Sequence, residues 1–286
     1  MKGKIIKLTG GFYYIESGNE VYETRARGNF RHTNTDPIVG DNVEFKYEKD
    51  NLGYIEKVYP RKNMLTRPRV ANVDLTLIVV PVKDPKYNLM LIDKNIIQSE
   101  YQEIDVAIAI NKSDLDQNEA NKLKYLYENS GFKTFVISAI DNEGLDELKE
   151  FLEGKTVALC GVSAAGKSSI TSKILGKEVE IGKVSDKTKR GKHTTRHTEL
   201  LYNDDIFIFD TPGFSSLDLD IESDELKFYF REFRNHEENC KFNNCNHINE
   251  PKCGVKKALE EGKIEETRYE NYKYIFNELK GKGGYS

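Results

Sequence analysis

The chain has 286 residues and a net charge of −4 at pH 7, with 38% hydrophobic and 31% charged residues. This length accommodates two or three modest domains with their own cores, and the acidic balance excludes a uniformly basic nucleic-acid binder while allowing local basic patches. No apolar run approaches the roughly 20 residues that cross a bilayer, and the polar residues within Met1–Lys7 do not fit a signal peptide, so we expect a cytoplasmic protein without a membrane partner.

Residues 1–62 are predicted to form five short strands, because glycines and Asn/Asp pairs punctuate the segment and no helical period runs through it. These strands are Gly3–Leu8, Gly11–Glu16, Glu20–Ala26, Asp41–Tyr47 and Gly53–Val58. Such a series is typical of a small β-barrel such as an OB-fold. The loop Arg25–His32 mixes basic and aromatic side chains, which can bind phosphates and bases. A solvated loop with one anchoring phenylalanine is the alternative.

From Met64 to Ser216 the pattern changes to strands alternating with helices, which predicts an α/β sheet with helical crossovers. Continuous apolar runs are typical of strands buried on both faces. The predicted strands are Leu75–Val80, Val106–Ile110, Thr134–Ile137, Thr156–Cys160 and Ile206–Phe209. The predicted helices are Leu91–Tyr101, Glu119–Asn129, Leu145–Phe151 and Lys167–Leu175.

Beyond Asp220 the chain is charged and mainly helical, with predicted helices at Glu222–Glu237 and Lys256–Leu279 on either side of a Cys/His-bearing insert. The Gly/Lys-rich tail Lys280–Ser286 is expected to fray. The sequence therefore predicts three domains, at residues 1–62, 63–218 and 219–286.

A phosphate-binding loop is indicated at Gly161–Ser169, which matches GxxxxGK[ST] between an apolar strand and a helix. In that setting, backbone N–H groups and a helix N-terminus converge on a phosphate. Lys167 is expected to bridge the β- and γ-phosphates, and the Ser168 hydroxyl to bind Mg²⁺. A chance glycine-rich turn is the alternative, and the strand–loop–helix context argues against it.

Two further motifs complete a GTPase set. Asn111–Asp114 reads NKSD after an apolar strand, and the Asp114 carboxylate can accept hydrogen bonds from guanine N1–H and its exocyclic amine. Lys112 is expected to cover the base plane, and Ser138 and Ala139 to support the base from the next strand. Asp210–Gly213 reads DTPG after an apolar strand. Asp210 is expected to reach Mg²⁺, usually through water, and the Gly213 N–H to meet the γ-phosphate; an ordinary β-turn is the alternative.

These motifs occur in a permuted order, because NKSD precedes the phosphate loop and DTPG comes last. The set of candidate nucleotide-binding residues is Asn111, Lys112, Ser113, Asp114, Ser138, Ala139, Gly161, Val162, Ser163, Ala164, Ala165, Gly166, Lys167, Ser168, Ser169, Asp210 and Gly213.

The segment Lys183–Thr198 is strongly basic and is expected to hold the threonine that reaches Mg²⁺ and the γ-phosphate. Thr195 is preferred to Thr194 for this role, and a solvated loop is the alternative. Many GTPases place a water-orienting glutamine after DTPG, whereas this chain has Phe214, so we expect slow intrinsic hydrolysis. His193 is then a candidate catalytic residue beside Thr195 and Lys167, and an exposed or RNA-facing side chain is an equal alternative for it.

The insert contains Cys240-x4-Cys245-x-His247-x5-Cys253, which offers three thiolates and one imidazole within fourteen residues. Four such ligands form a closed tetrahedral set, the signature of a structural zinc ion. We therefore expect one structural zinc per chain at Cys240, Cys245, His247 and Cys253. From the sequence alone, loss of one ligand is expected to unfold only the C-terminal segment. Cys160, in a predicted strand, is most simply a core residue.

The succession NKSD, SA, GVSAAGKSS, RGKHTTRH, DTPGF and the Cys/His cluster closely resembles the family of ribosome small subunit-dependent GTPases called RsgA, YjeQ or YloQ, over nearly the whole chain. The resemblance implies an OB-fold, a circularly permuted GTPase domain and a mainly α zinc domain. It also implies GTP binding by Asn111–Asp114 and Gly161–Ser169, zinc at the four ligands, and a catalytic role for His193. The implied partner is the small ribosomal subunit and its RNA, which stimulates GTP hydrolysis during late maturation; a monomer is the default.

Two other functions fit the sequence. One is an assembly scaffold that binds GTP without hydrolysing it, since Phe214 replaces the usual glutamine. The other is a zinc-containing RNA- or DNA-binding protein whose nucleotide domain is secondary.

Overall fold

The structure is a computed structural model that describes residues 1–26, 36–47, 53–66, 69–176, 199–203, 205–210 and 219–282. The strands are β1 (Lys2–Thr9), β2 (Phe12–Ser17), β3 (Glu20–Ala26), β4 (Asn42–Lys46), β5 (Gly53–Val58), β6 (Met64–Thr66), β7 (Arg69–Ala71), β8 (Leu75–Pro81), β9 (Asp105–Asn111), β10 (Lys133–Val136), β11 (Thr156–Cys160), β12 (Glu199–Asn203) and β13 (Ile206–Asp210). The helices are α1 (Leu89–Tyr101), α2 (Gln117–Asn129), α3 (Leu145–Leu152), α4 (Lys167–Leu175), α5 (Arg231–Glu237), α6 (Gly254–Glu260) and α7 (Glu266–Lys282). Within these ranges no helix is long and apolar enough to span a bilayer.

The chain divides into two compact units. The first comprises Met1–Thr76, Asp146–Leu159 and Ser168–Pro212, and the second comprises Leu77–Leu145, Cys160–Lys167 and Gly213–Ser286. Each unit therefore combines segments that are distant in the sequence.

The first unit contains a closed five-stranded barrel. Strand β1 pairs with both β2 and β4, while β5 joins β3 to β4, so the order closes as β1-β2-β3-β5-β4-β1. Alternate side chains of these strands point inward. They form a core of Ile5, Ile15, Val43, Phe45 and Ile55, each fully buried. The predicted N-terminal barrel is confirmed.

The same unit carries the strand that enters the phosphate loop. Strands β11 and β13 are parallel, with Ala158 opposite Phe209, and β12 pairs antiparallel with β13. Strand β12 also contacts the barrel, where Lys7 pairs with Glu199 at 3.0 Å. Its residues were not predicted to form a strand, nor was the β6–β7 hairpin. Both lack the long apolar run that marks the central strands.

The second unit contains the strands β10, β9 and β8, with helices α1 and α2 packed on them. Strands β10 and β9 are parallel, and β8 is buried along its whole length. Helix α2 is preceded by the N-cap Asp116, whose side chain accepts from the Glu119 N–H. The predicted α/β architecture is confirmed.

The C-terminal region is helical, as predicted, but the two long helices expected there are wrong. The first is interrupted at Phe230, which has φ −106° and ψ 94° between a 3₁₀ turn and α5. Its fully buried ring lies against Phe233 and Tyr272, and the break allows that packing. The second is divided into α6 and α7, because Gly262 adopts φ +70° and ends α6. Helix α7 continues to Lys282, beyond the predicted start of the fraying tail.

A buried charge network joins α1, α5 and α7 within the second unit. Arg268 is 1% exposed and donates two hydrogen bonds to Glu232, at 2.7 and 3.0 Å. It donates a third, at 2.6 Å, to Asp93 of α1, which is fully buried and also accepts from Asn271. Burial raises the pKa of Asp93, an effect opposed by Arg268. Because each charge is paired inside the protein, the three helices depend on one another.

Candidate nucleotide site and metal centre

The phosphate loop connects β11 to α4 and requires glycine at two positions. Gly161 has φ +134°, and a Cβ added there would lie 2.3 Å from the Val79 carbonyl oxygen. Gly166 has φ +98°, and its Cβ would lie 2.1 Å from Asn111 Nδ2. Only glycine fits these backbone conformations and close approaches. The loop is therefore shaped by its neighbours β8 and β9.

The side chain of Asn111, the first residue of NKSD, links that motif to the phosphate loop and to the segment Ser138–Ile140 (SAI). Its Nδ2 donates to the Ala165 carbonyl in the phosphate loop at 2.8 Å. Its Oδ1 accepts from the Ala139 N–H at 3.1 Å. Asn111 is 2% exposed, so both bonds are shielded from water and strengthened by the low local dielectric. NKSD, SAI and the phosphate loop thus lie side by side in the second unit.

Lys167 lies where the loop becomes α4. Its ammonium donates to the carbonyls of Gly161 and Val162, both at 2.8 Å, so it is held over the loop. Burial lowers the pKa of Lys167. The thiol of Cys160 is itself buried, which raises its pKa to about 12 and keeps it protonated. A cation in this position is suited to a phosphate, and Ser168 and Ser169 follow it in the first turn of α4.

The carboxylate of Asp114 is presented to solvent beside the SAI segment. Ser138 Oγ lies 2.8 Å from Asp114 Oδ1 and 3.1 Å from an oxygen of Asp141. Ser113 is buried beneath it and donates its N–H to the Ile137 carbonyl. The N–H of Ser138 donates to the Glu143 carbonyl in this structure. The Asp114 carboxylate is therefore oriented through one oxygen by the Ser138 hydroxyl, while the side chain faces solvent.

Some candidate residues lie outside the described part of the chain: His193, Thr194, Thr195, Thr211, Pro212, Gly213 and Phe214. Asp210 ends β13, and in the register of β13 with β11 its backbone lies opposite Leu159, immediately before Cys160 and the phosphate loop. Parallel strands present their carboxyl ends at one sheet edge, which is where ligands bind in such folds.

The predicted metal ligands converge in the C-terminal region. The ligand atoms of Cys240, Cys245, His247 and Cys253 all lie within 4.8 Å of one another. The Sγ atoms of Cys240 and Cys253 are 3.8 Å apart, and His247 Nδ1 is 3.6 and 3.4 Å from them. A tetrahedral ion with bonds of about 2.3 Å to sulfur and 2.0 Å to nitrogen separates its ligands by about 3.5–3.8 Å. This cluster could therefore hold a metal ion.

The surroundings of the cluster favour metal binding. Burial lowers the pKa of His247 to about 4, so its ring is neutral at pH 7, the form that coordinates a metal. Its Nε2 lies 3.7 Å from a Glu237 carboxylate oxygen, close to where a supporting acceptor is usually found. Burial also raises the pKa of Cys245 to about 12, so metal binding would displace its proton.

Sequence reasoning missed the side chains that hold the metal-binding loop. The Tyr269 hydroxyl donates to the His247 carbonyl and the Tyr272 hydroxyl to the Asn246 carbonyl, both at 2.6 Å. Lys227 donates to the Cys245 carbonyl. All three contacts are distant in sequence and involve backbone acceptors, which leave no local pattern. Tyr269 and Tyr272 tie the cluster to α7, the helix that carries Arg268.

Two family models match the chain. The model described as RsgA N-terminal domain matches residues 2–55, and the one described as RsgA GTPase matches residues 58–220. The second alone spans more than half of the chain.

Similar proteins cover the whole length. A small ribosomal subunit biogenesis GTPase RsgA from Clostridium botulinum (strain 657 / Type Ba4) is 44% identical over 98% of this chain and 97% of its own. One from Agathobacter rectalis is 42% identical over the full length of both. The crystal structure of YjeQ from Thermotoga maritima superposes with a TM-score of 0.84 at 39% identity, covering 98% of each chain. That of YloQ, described as a circularly permuted GTPase, gives 0.83 at 34% identity, covering 98% of this chain and 95% of that one.

Proposed function

Since the chain belongs to the RsgA GTPase family, we propose that it binds and hydrolyses GTP in the service of small-ribosomal-subunit biogenesis. Its partners are then GTP or GDP and the small subunit with its RNA, its setting is the cytoplasm, and it works as a monomer. The proposed domains are the barrel at residues 1–62, the permuted GTPase domain at 63–218 and the zinc domain at 219–286.

The observation that carries this proposal is the pair of hydrogen bonds made by Asn111. They bind the phosphate loop at Ala165 and the SAI segment at Ala139 to the same buried side chain. A nucleotide whose phosphates lie on the loop therefore has its base beside Asp114. In this proposal the permuted order of motifs does not prevent one site from forming, and the contacts of Asn111 with the phosphate loop and with SAI support it.

In this proposal the loop residues 161–169 bind the phosphates through their backbone N–H groups. Lys167 leaves the carbonyls of Gly161 and Val162 to neutralise the β- and γ-phosphates. Ser168 supplies its hydroxyl to Mg²⁺, which polarises the γ-phosphate when it is bound. Asp210 and Thr195 are the other residues proposed to lie near Mg²⁺, and the Gly213 N–H is proposed to bind the γ-phosphate.

Hydrolysis needs a group to orient water, and Phe214 cannot do so. We assign that role to His193, within the basic Lys183–Thr198 segment. Binding of that segment to RNA phosphates would place His193 and Thr195 over the nucleotide, which makes turnover depend on the subunit. Release would follow hydrolysis, because the γ-phosphate no longer holds the segment.

For the metal centre we propose one structural zinc ion per chain, held by Cys240, Cys245, His247 and Cys253. Three thiolates and an imidazole are the ligand type that zinc prefers. Four protein ligands leave no open position, so the ion would stabilise the C-terminal domain without taking part in catalysis.

The test of this function is the affinity for purified small subunits in two nucleotide states. We expect the form bound to a non-hydrolysable GTP analogue to bind the subunit more tightly than the GDP form, as measured by co-sedimentation over a range of concentrations. Equal affinities would refute the switch. If the protein binds GTP and subunits but releases no phosphate, it is the non-hydrolysing scaffold that Phe214, in place of the usual glutamine, suggests.

Gly166→Ala is expected to weaken GTP binding about 100-fold, because its Cβ would enter the position of Asn111 Nδ2 at 2.1 Å. Titration with a fluorescent GTP analogue measures the loss. Gly176→Ala is the matched control, since Gly176 also has a positive φ, +60°, but a Cβ there would contact nothing within 4 Å. Equal GTP affinity of the Gly166 variant and the wild type would contradict a role for the close contact between Gly166 and Asn111 in GTP binding.

Cys245→Ser is expected to remove zinc and to destabilise the protein by more than about 3 kcal/mol, since the metal contributes directly to folding. Metal content by atomic emission and thermal unfolding by circular dichroism report the two effects. Cys160→Ala removes a buried thiol outside the cluster and is expected to keep a full equivalent of zinc. Retention of zinc by Cys245→Ser would refute the ligand assignment.

A further inference from the structure

The 82–87 loop, which connects β8 to α1, contacts the base-reading segment 111–119 at four places. The first is a backbone hydrogen bond from the Val82 N–H to the Asn111 carbonyl at 3.0 Å. The other three involve the side chains of Lys112, Lys83 and Tyr87. No sequence motif pointed to this loop.

The contact with Lys112 brings together two residues in an unusual backbone conformation. The Lys112 ammonium donates to the Asp84 carbonyl. Lys112 has φ +67° and Asp84 has φ +45°, in the left-handed region that residues other than glycine seldom adopt. Such residues persist only where their surroundings hold them, and they concentrate at functional sites. The ammonium is therefore anchored to the 82–87 loop before any nucleotide arrives.

Two side chains of the loop form polar contacts with the start of α2, directly after NKSD. The Tyr87 hydroxyl donates to a Glu119 carboxylate oxygen at 2.6 Å, and Lys83 pairs with Asp116 at 2.8 Å. The pKa of Tyr87 is raised to about 12 by burial and by Glu119, so the hydroxyl keeps its proton. The hydrogen bond to a carboxylate is of the short, charge-assisted kind. Asp116 is also the N-cap of α2.

On its other side Tyr87 reaches toward the phosphate loop. It lines a cavity whose walls also include Leu91, Gly161 and Val162, and it packs against the apolar core beneath β8 and β9. The 82–87 loop thus contacts the segment that carries Asp114 and shares a cavity wall with the phosphate loop. Movement of the loop would change the position of that segment.

We propose that Lys83 and Tyr87 are positioning residues for guanine recognition. By fixing the start of α2 and the Asp84 carbonyl, they hold the Lys112 side chain along the plane of the base and the Asp114 carboxylate within reach of its edge. This inference rests on the proposed binding of GTP. In this proposal both residues act through Lys112 and Asp114, so their loss reduces base discrimination more than phosphate binding.

The test compares GTP with inosine triphosphate, which lacks the exocyclic amine that Asp114 reads. In the double variant Lys83→Met/Tyr87→Phe we expect the ratio of GTP to inosine triphosphate affinity to fall by about fivefold or more, because the carboxylate is no longer held at the angle that uses both donors. Equilibrium titration with each nucleotide gives the ratio.

Lys122→Met is the matched control, since Lys122 also pairs with Glu119, at 3.1 Å, but lies on α2 itself. We expect its ratio to stay within about twofold of the wild type. The single variant Lys83→Met, at an exposed position, gives a second measurement that does not depend on tolerance of the Tyr87 change. A double variant with the wild-type ratio, or one that weakens both nucleotides equally, would overturn the inference. A wild type that does not prefer GTP to ATP would instead refute the proposed function.

Discussion

In Asp114→Asn, the affinity for GTP is expected to fall about 10³-fold, and xanthosine triphosphate to become the preferred nucleotide. The guanine edge presents two donors, N1–H and the exocyclic amine, and the Asp114 carboxylate presents two acceptors. An asparagine replaces one acceptor with an NH₂ donor, which faces a guanine donor without a partner. Xanthine carries a carbonyl at that position, which accepts from the amide.

The surroundings of Asp114 in the structure indicate that Asp114→Asn changes the preferred nucleotide from GTP to xanthosine triphosphate without disturbing the fold. Ser138 Oγ lies 2.8 Å from one oxygen of Asp114, and a hydroxyl can serve either as donor to a carboxylate or as partner to an amide. Asp114 is also exposed, so the substitution leaves no buried polar group behind and the fold is expected to remain intact. Titrations with GTP, ATP and xanthosine triphosphate measure the preference.

Ser138→Ala is the control for Asp114→Asn, because the Ser138 hydroxyl contacts Asp114. It removes the hydroxyl that orients the carboxylate but keeps the two acceptors, so we expect a loss of GTP affinity of about tenfold without any gain for xanthosine triphosphate. An unchanged nucleotide preference in Asp114→Asn would refute the guanine-reading role.

Arg268→Met is expected to destabilise the protein by about 3–5 kcal/mol, because it leaves the fully buried Asp93 and the nearly buried Glu232 without a counter-charge. Urea unfolding followed by circular dichroism gives the free energy of unfolding. Arg234→Met is the matched control: Arg234 also pairs with a carboxylate, that of Glu100, but its side chain is 54% exposed. Glu100 keeps its second partner Arg231 in this variant, and Arg234 itself lies mostly in solvent, so we expect less than about 1 kcal/mol.

A double variant separates the unpaired charge from lost packing. If the cost of Arg268→Met comes from an uncompensated carboxylate, adding Asp93→Asn is expected to recover part of the lost free energy, since the amide carries no charge to bury. Costs that simply add would show that the pair is not coupled.

The charge network around Arg268 also changes what we expect when a metal ligand is lost. Loss of a metal ligand was expected to unfold only the C-terminal segment, but Tyr269 and Tyr272 connect the metal-binding loop to α7. Helix α7 in turn carries Arg268, the partner of Asp93 on α1. Unfolding of α7 would therefore leave Asp93 buried without its counter-charge. We now expect loss of zinc to destabilise the α/β part of the second unit as well.

Those features of the fold that have a local chemical signal were predictable. Apolar runs such as Leu75–Val80 and Thr156–Cys160 predicted buried strands close to their observed bounds. The Cys/His cluster was predicted from its side-chain chemistry and close spacing in the sequence, and the structure brings its four candidate ligand atoms together. The break at Gly262 also had a local signal, a glycine at the end of a helix, which the expected long helix ignored.

The remaining features depend on partners distant in the chain. Asp93 and Arg268 are 175 residues apart in sequence, and neither stands in a motif. The Phe230 break follows from the packing of its ring, which no helical period reveals. Likewise, the anchoring of Lys112 by Asp84 involves a backbone carbonyl, so no side-chain pattern announces it. The roles of His193, Thr195 and Gly213 stay predictions, because these residues lie outside the described ranges.

The most direct measurement is phosphate release from GTP by the purified protein, with and without small ribosomal subunits. We expect slow hydrolysis alone and stimulation of at least about tenfold by the subunit, specific for GTP over ATP, abolished in Lys167→Ala and strongly reduced in His193→Ala. Equal rates with and without subunits, or equal turnover of ATP, would contradict the account of one guanine-nucleotide site completed by the subunit.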